Sequence, residues 1–317
     1  NLKDSLQSHV GNSADINLSL ILLLRGLGLD ANPVLLSTWN HGPLLEANPT
    51  RGGLNYVIAC VNIDSLKYLL DATSPNLPMN TLPRRCLNGQ GIVVAAGPVR
   101  WVDLYKDERN NSLMMGDFKI DSLGNLNGKL DVSKSGYYAK SDRDDFFNNG
   151  EESFTRMLSK NMKAWEVGSI IYENMSSPGK NLKISYQLSS GEISQSSGDM
   201  IYVNVLCGLG QAANPFISEK RIYPVEFGCP LKDSYVFSFE IPAGFKLETL
   251  PESVSILLPN KTGSFRFLTS MKENKILVTS NLSINKAFFT VTEYLDLREF
   301  FNRIVIKHSQ QIVLKKS

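Results

Sequence analysis

The sequence predicts an α+β chain: a central helix buried against an antiparallel sheet, followed by a β-rich, sandwich-like region. Three observations carry this. "SADINLSLILLLR" (13–25) is apolar nearly all round, the pattern of a central helix. "LNYVIACVNI" (54–63) and "KYLLDAT" (67–73) are continuous apolar runs joined by the turn "DSL". They read as neighbouring strands covered on both faces. From about residue 99, short alternating strands and turn residues recur at the rate expected of a sandwich.

In chain order, Gly26 and Gly28 supply the stop signal of the first helix. "ANPVLLST" (31–38) reads as a strand, and "WNHGPLLEANPTRGG" (39–53) as a loop rich in Gly, Pro and Asn. After the two apolar strands, "SPNLPMNTLPRRCLNGQG" (74–91) reads as a long irregular stretch that leaves the sheet. "SLMMGDFKID" (112–121) and "NGKLDVSKSGYYAK" (127–140) form a hairpin around Gly124 and Asn125. "DDFFNNGEESFTRMLSKNMKAW" (144–165) carries helix spacing at Phe154, Met157, Leu158 and Met162. Eight further strand-like runs follow, from "NLKISYQLS" through "RIYPVEFG" to "AFFTVTEY", with "MKENK" (271–275) as a hairpin turn. The end opens as an amphipathic helix with Leu297, Phe301 and Ile304 on one stripe. Two domains are expected, 1–98 and 99–317, the second with a subdomain break near 191–215.

Composition narrows the function classes. The chain has 317 residues, a formal net charge of +2 and 42% hydrophobic residues. Its basic residues are scattered and matched by acids, which argues against a nucleic-acid binder. No apolar run approaches the ~20 residues of a membrane span. No cofactor motif is present. The four cysteines (Cys60, Cys86, Cys207, Cys229) form no CxxC pair, and the three histidines (His9, His41, His308) are far apart, so no metal site is expected. Buried thiols are the expected state of the cysteines, and nothing in the sequence supports a Cys207–Cys229 bridge. The chain opens on Asn1 without a charged and then apolar leader. It reads as a piece of a longer protein, with any targeting signal and a partner domain upstream.

The chemistry gathers around Ser13, where the chain enters the first helix. A helix start offers unpaired N–H groups and a positive dipole end, but a serine also needs an adjacent base.

The order helix, strand, loop, strand, turn, strand resembles the core of transglutaminase-like cysteine enzymes, members of the papain-like superfamily. The closer resemblance is to multi-domain transglutaminase-like proteins of Bacteroidetes type. It is carried by "GNSADINLSLILLLRGLGLDANPVLLST", "NYVIACVNID…YLLDAT", "LPRRCLNGQG", "NPFISEKRIYPVEFG" and "REFFNRIVIKHSQQIVLKK". The resemblance implies a Cys at the helix start, a His opening the next strand and an Asp on its neighbour. Ser13, Asn55 and Asp71 fall at those places, the last two sixteen residues apart. An Asn amide takes no proton at neutral pH, so Ser13 lacks the expected base. His41, in "WNHGP", is the stand-in to consider, although a lone loop histidine is more often solvated.

The expected outcome is a pseudoenzyme. Ser13 would cap the helix, and the Ser–Asn–Asp remnant would be a polar cluster holding helix to sheet. The cleft, walled by Trp39 and His41, would bind a peptide-like cell-envelope component. Periplasm or cell surface follows from the resemblance. Two alternatives stand beside this reading. One is an active amidase, peptidase or acyltransferase using Ser13 with a base from elsewhere. The other is a structural spacer between β domains.

Overall fold

The computed structural model describes residues 7, 10–42, 44, 50–105 and 109–317. His9 and most of the loop 43–49 lie outside the described residues. The fold is sheet-rich α+β, with four α-helices among the described residues. It divides into two compact units, up to residue 108 and from 109 onward.

In the first unit, helix α1 (Ser13–Gly26) is followed by β1 (Asp30–Leu36), β2 (Tyr56–Ile63), β3 (Leu66–Leu70), β4 (Gln90–Val93) and β5 (Arg100–Asp103). These strands form one antiparallel sheet in the order β3-β2-β1-β4-β5. The central strand β2 is buried from Val57 to Val61, as its unbroken apolar run requires. Two expectations are corrected here. The stretch 74–91 returns to the sheet as β4, and β5 extends the sheet past residue 99. The unit boundary therefore falls about ten residues later than the change in texture suggested. Helix α1 is also not buried all round. Only Asn17 and Ile21 are buried, while Leu22, Leu23 and Leu27 are exposed. A helix lying on one sheet covers one stripe, and i, i+4 is that stripe.

The second unit begins with the hairpin β6 (Asn110–Ile120) and β7 (Leu126–Ser135). Two helices follow, α2 (Gly136–Asn149) and α3 (Glu151–Asn161). One helix was expected from 144. Gly150 divides the pair at φ +83°, a conformation that L side chains rarely adopt. The remaining elements are β8 (Glu166–Glu173), β9 (Leu182–Ser190), β10 (Ser194–Ser197), β11 (Met200–Asn204), β12 (Val225–Glu226), β13 (Leu231–Glu240), β14 (Phe245–Thr249), β15 (Val254–Leu257), β16 (Gly263–Lys272), β17 (Lys275–Ile284), β18 (Phe288–Phe289), α4 (Tyr294–His308) and β19 (Gln311–Lys316).

An eight-stranded sheet runs β15-β16-β17-β13-β6-β7-β9-β8, with one parallel pair, β6 and β13, at its middle. It draws strands from both sides of 191–215, so the expected subdomain break there does not exist. A four-stranded sheet, β10-β11-β19-β14, shares one hydrophobic core with it and with α4. Period-2 burial is clean where one face meets that core, as in β9, where Leu182, Ile184, Tyr186 and Leu188 point inward. "RIYPVEFG" and "AFFTVTEY" shrink to the two-residue strands β12 and β18. Most of each segment is turn, loop or helix start instead.

Candidate functional site

Helix α1 starts on a capping box. The Asn12 side chain accepts from the Asp15 N–H at 2.9 Å, and Asp15 accepts from the Asn12 N–H at 3.1 Å. Asn12 is therefore the N-cap, and Ser13 is the first helical residue, which corrects the expected capping role. Ser13 is half-buried.

Asp71 lies just past the end of β3, and its side chain is fully buried. Four segments converge on it. From α1, Asn17 donates through Nδ2 to Asp71 Oδ1 at 3.0 Å and to the Val57 carbonyl at 2.9 Å. The Asn17 oxygen accepts from the Ala72 N–H at 2.8 Å. From β2, the Tyr56 hydroxyl donates to Asp71 Oδ2 at 2.9 Å. From "DAT", the Thr73 N–H and hydroxyl donate to Oδ1 at 2.9 and 2.7 Å, an Asx-type turn. From the short 3₁₀ turn Arg84–Cys86, the Arg85 guanidinium lies 3.6 Å from Oδ2 and donates to Tyr56 Oη at 2.8 Å. The Cys86 thiol sits 3.8 Å from the same carboxylate.

Among the described residues hydrogen bonds do not link the three predicted triad positions to one another. Asn55 turns to Thr38, accepting from its N–H and donating to its hydroxyl, both at 2.8 Å. Among the described residues no hydrogen bond joins Ser13 to Asn55 or Asp71. The side chain of this strand that meets Asp71 is Tyr56. Asn17 joins the helix to this carboxylate, and Tyr56, Thr73 and Arg85 close around it from the sheet and the turns. Sequence reasoning passed over them. Asn17 carried a signal, as a lone amide in a stripe of leucines one turn beyond Ser13.

Electrostatics makes this a closed network. Burial, with Asp71 beside it, pushes the Tyr56 phenol above its ordinary value, although Thr73 and Arg85 pull the other way. Burial works against the charge on Arg85, but Tyr56 and Asp71 outweigh it and hold the guanidinium protonated. Burial and the Asp71 carboxylate push the Cys86 thiol up to about 12. Near neutral pH Tyr56 is therefore no phenolate and Cys86 no thiolate.

Trp39 and His41 lie on a short 3₁₀ turn beside the Arg84–Cys86 turn. Trp39 is 45% exposed. His41 Nε2 is 2.8 Å from the Gly52 carbonyl and so is tied within its own loop. The four cysteines are buried thiols with no disulfide between them. Among the described residues no group of three His, Cys, Asp or Glu side chains is placed to hold a metal, and no helix is long and apolar enough to cross a membrane.

The second unit holds a Ser–His contact of its own. His308 Nε2 lies 2.9 Å from Ser280 Oγ in the core. His308 Nδ1 accepts from the Gln211 N–H at 2.8 Å, so the ring proton is on Nε2 and points at Ser280. Burial lowers the His308 pKa to about 4. The histidine is a donor to the serine, not its base.

Residues 199–314 match DUF3858, a domain of unknown function with a solved structure. The fold is similar to a crystal structure described as "a putative protease" from Parabacteroides distasonis ATCC 8503, at 13% identity and a TM-score of 0.53. The similarity covers 99% of this chain and 46% of that one, so the chain spans about half the length of its neighbour. At this identity the likeness is one of fold. No curated protein matches the chain.

Proposed function

We propose that the chain is a transglutaminase-like protein with a degenerate triad, acting as a non-enzymatic binding or scaffold module of the cell envelope, at the periplasm or cell surface. One observation carries the reading. The carboxylate that would orient a catalytic imidazole is engaged instead by Asn17, Tyr56, Thr73 and Arg85. A phenol with a raised pKa stands where a base is needed. The match to an unknown-function domain and the fold likeness to a protease-like neighbour agree with a relative of such enzymes.

The ligand we assign to the first unit is a peptide or amide-bearing envelope fragment. Trp39 would give it a wall, and the open N–H groups at the start of α1 would give it donors. Two assays test this. Amine incorporation into a glutamine-containing acceptor, and labelling by an electrophilic probe, are expected to stay at background. Robust activity that vanishes in Ser13→Ala would overturn the reading. Peptide and cell-wall fragments are expected to bind wild type and to bind Trp39→Ala more weakly. If no fragment binds, the spacer role replaces the binding role.

A further inference from the structure

The outer face of the eight-stranded sheet carries a polar hollow of about 420 Å³ in the second unit. Its floor is two adjacent cross-strand rows. One is Asn281, Ser234, Leu113 and Ser133 on β17, β13, β6 and β7. The next row places Lys232 beside Asn111, and Asn111 beside Ser135. Asn181, at the start of β9, forms a wall. Its loop is held by buried Arg143, which donates to the carbonyls of Asn174, Met175, Ser177 and Lys180 at 2.9–3.1 Å.

Two features set this hollow apart from an ordinary polar sheet face. Ser234 is only 7% exposed and lines the hollow, yet its hydroxyl has no hydrogen-bond partner among the described residues. The hydroxyl opens into the hollow, where it is free to donate to and accept from a ligand. The charge is also one-sided. Lys232 has no ion pair among the described residues, and neither has Arg266, which neighbours Asn281 on the same face. No Asp or Glu lines the hollow.

We propose that this hollow binds a saccharide that carries a carboxylate. Asn and Ser side chains both donate and accept, as sugar hydroxyls do. Leu113 and Val236 give a small apolar surface for the C–H face of a ring. Lys232, in the second row, supplies the partner for a carboxylate. The volume suits a ligand of one or two rings.

The test is saturation-transfer NMR on the 317-residue chain with D-glucuronic acid, D-glucose and inorganic phosphate as probes. Glucuronic acid is expected to bind saturably, with glucose weaker by roughly tenfold for want of the charge-assisted bond. Lys232→Gln is expected to bring glucuronic acid down toward glucose, and Ser234→Val, which fills the floor, to abolish both. Lys232 is exposed, so its variant keeps the fold and decides the matter even if Ser234→Val does not fold. The proposal is overturned if glucuronic acid does not bind, if it binds both variants as it binds wild type, or if phosphate binds as tightly.

Discussion

Helices α1 and α4 are similar in length and both apolar, and they end up in opposite situations. α4 buries Tyr294, Leu297, Phe300, Phe301, Ile304 and His308 in the core shared by two sheets. α1 buries Asn17 and Ile21 and leaves Leu22 and Leu23 in contact with solvent. Hydrophobicity in the sequence is therefore not burial. What decides is how many layers the chain provides, and among the described residues α1 has one sheet. Each helix nevertheless buries one polar side chain that sets its seat. Asn17 ties α1 to β2 and to the Asp71 turn, and His308 ties α4 to β17 and to the Gln211 backbone.

The largest expected effect is a test of that contrast. Phe301→Ala removes a ring stacked edge-on against Phe216 at 5.1 Å and is expected to cost about 3–5 kcal/mol in urea unfolding. Leu23→Ala is expected to stay within about 0.5 kcal/mol. A comparable loss at Leu23 would break the comparison.

Next is the polar seat of α1. Asn17→Ala leaves the Val57 carbonyl, the Ala72 N–H and part of the Asp71 carboxylate without a partner. It is expected to cost about 3 kcal/mol, seen as faster hydrogen exchange of the Ile58–Val61 amides. Ser13→Ala should leave exchange unchanged.

Acidity sharpens the view of the second unit. His308 is held near 4 against an ordinary 6.5 by burial. As pH falls from 6.5 toward 4 the unfolded chain takes a proton that the folded core refuses, so stability is lost, by roughly 2–3 kcal/mol. Asp233 acts with the opposite sign. Burial raises its pKa from 3.8 to about 6, and one of its oxygens is unpaired. The folded carboxyl keeps its proton to higher pH than the unfolded one, so stability is lost as pH rises from 3.8 toward 6. The two slopes oppose each other between pH 4 and 6. Asp233→Asn is expected to be more stable than wild type at pH 7 and to fall more steeply on acidification. His308→Gln is expected to gain relative to wild type over the same window. Thermal unfolding across pH measures both, and parallel curves for variants and wild type would refute the assignment.

The smallest effects separate Tyr56 from Asn55. Tyr56→Phe deletes the donor to Asp71 and is expected to cost about 1–2 kcal/mol. Asn55→Ala loses only exposed contacts with Thr38 and is expected to cost about 0.5 kcal/mol or less. Equal losses would mean that the two adjacent residues share the role.

Much of the element order was legible because local rules govern it. Gly26 and Gly28 end α1, the unbroken run of β2 marks an inner strand, and "MKENK" closes the β16–β17 hairpin. β4, β5, β10 and β14 were not legible. Each is four or five residues long and sits beside turn residues, without the apolar run that marks the equally short β3 and β11. The candidate site was legible to within one residue on β2. Asp71 was named, but its partner was taken to be Asn55 when the side chain that reaches it is Tyr56.

The sequence by itself determined the helix start at Ser13, its end at Gly26, and the pairing of β2 with β3 across a tight turn. All of these depend on residue identity and short spacing. Only the tertiary structure decided that Asn17 and Arg85 close around Asp71, that one sheet spans 110–284, and that Ser234 opens unpaired into a hollow. Those features join residues tens to more than a hundred positions apart. Their energies come from burial and from saturating hydrogen bonds, which no local pattern encodes.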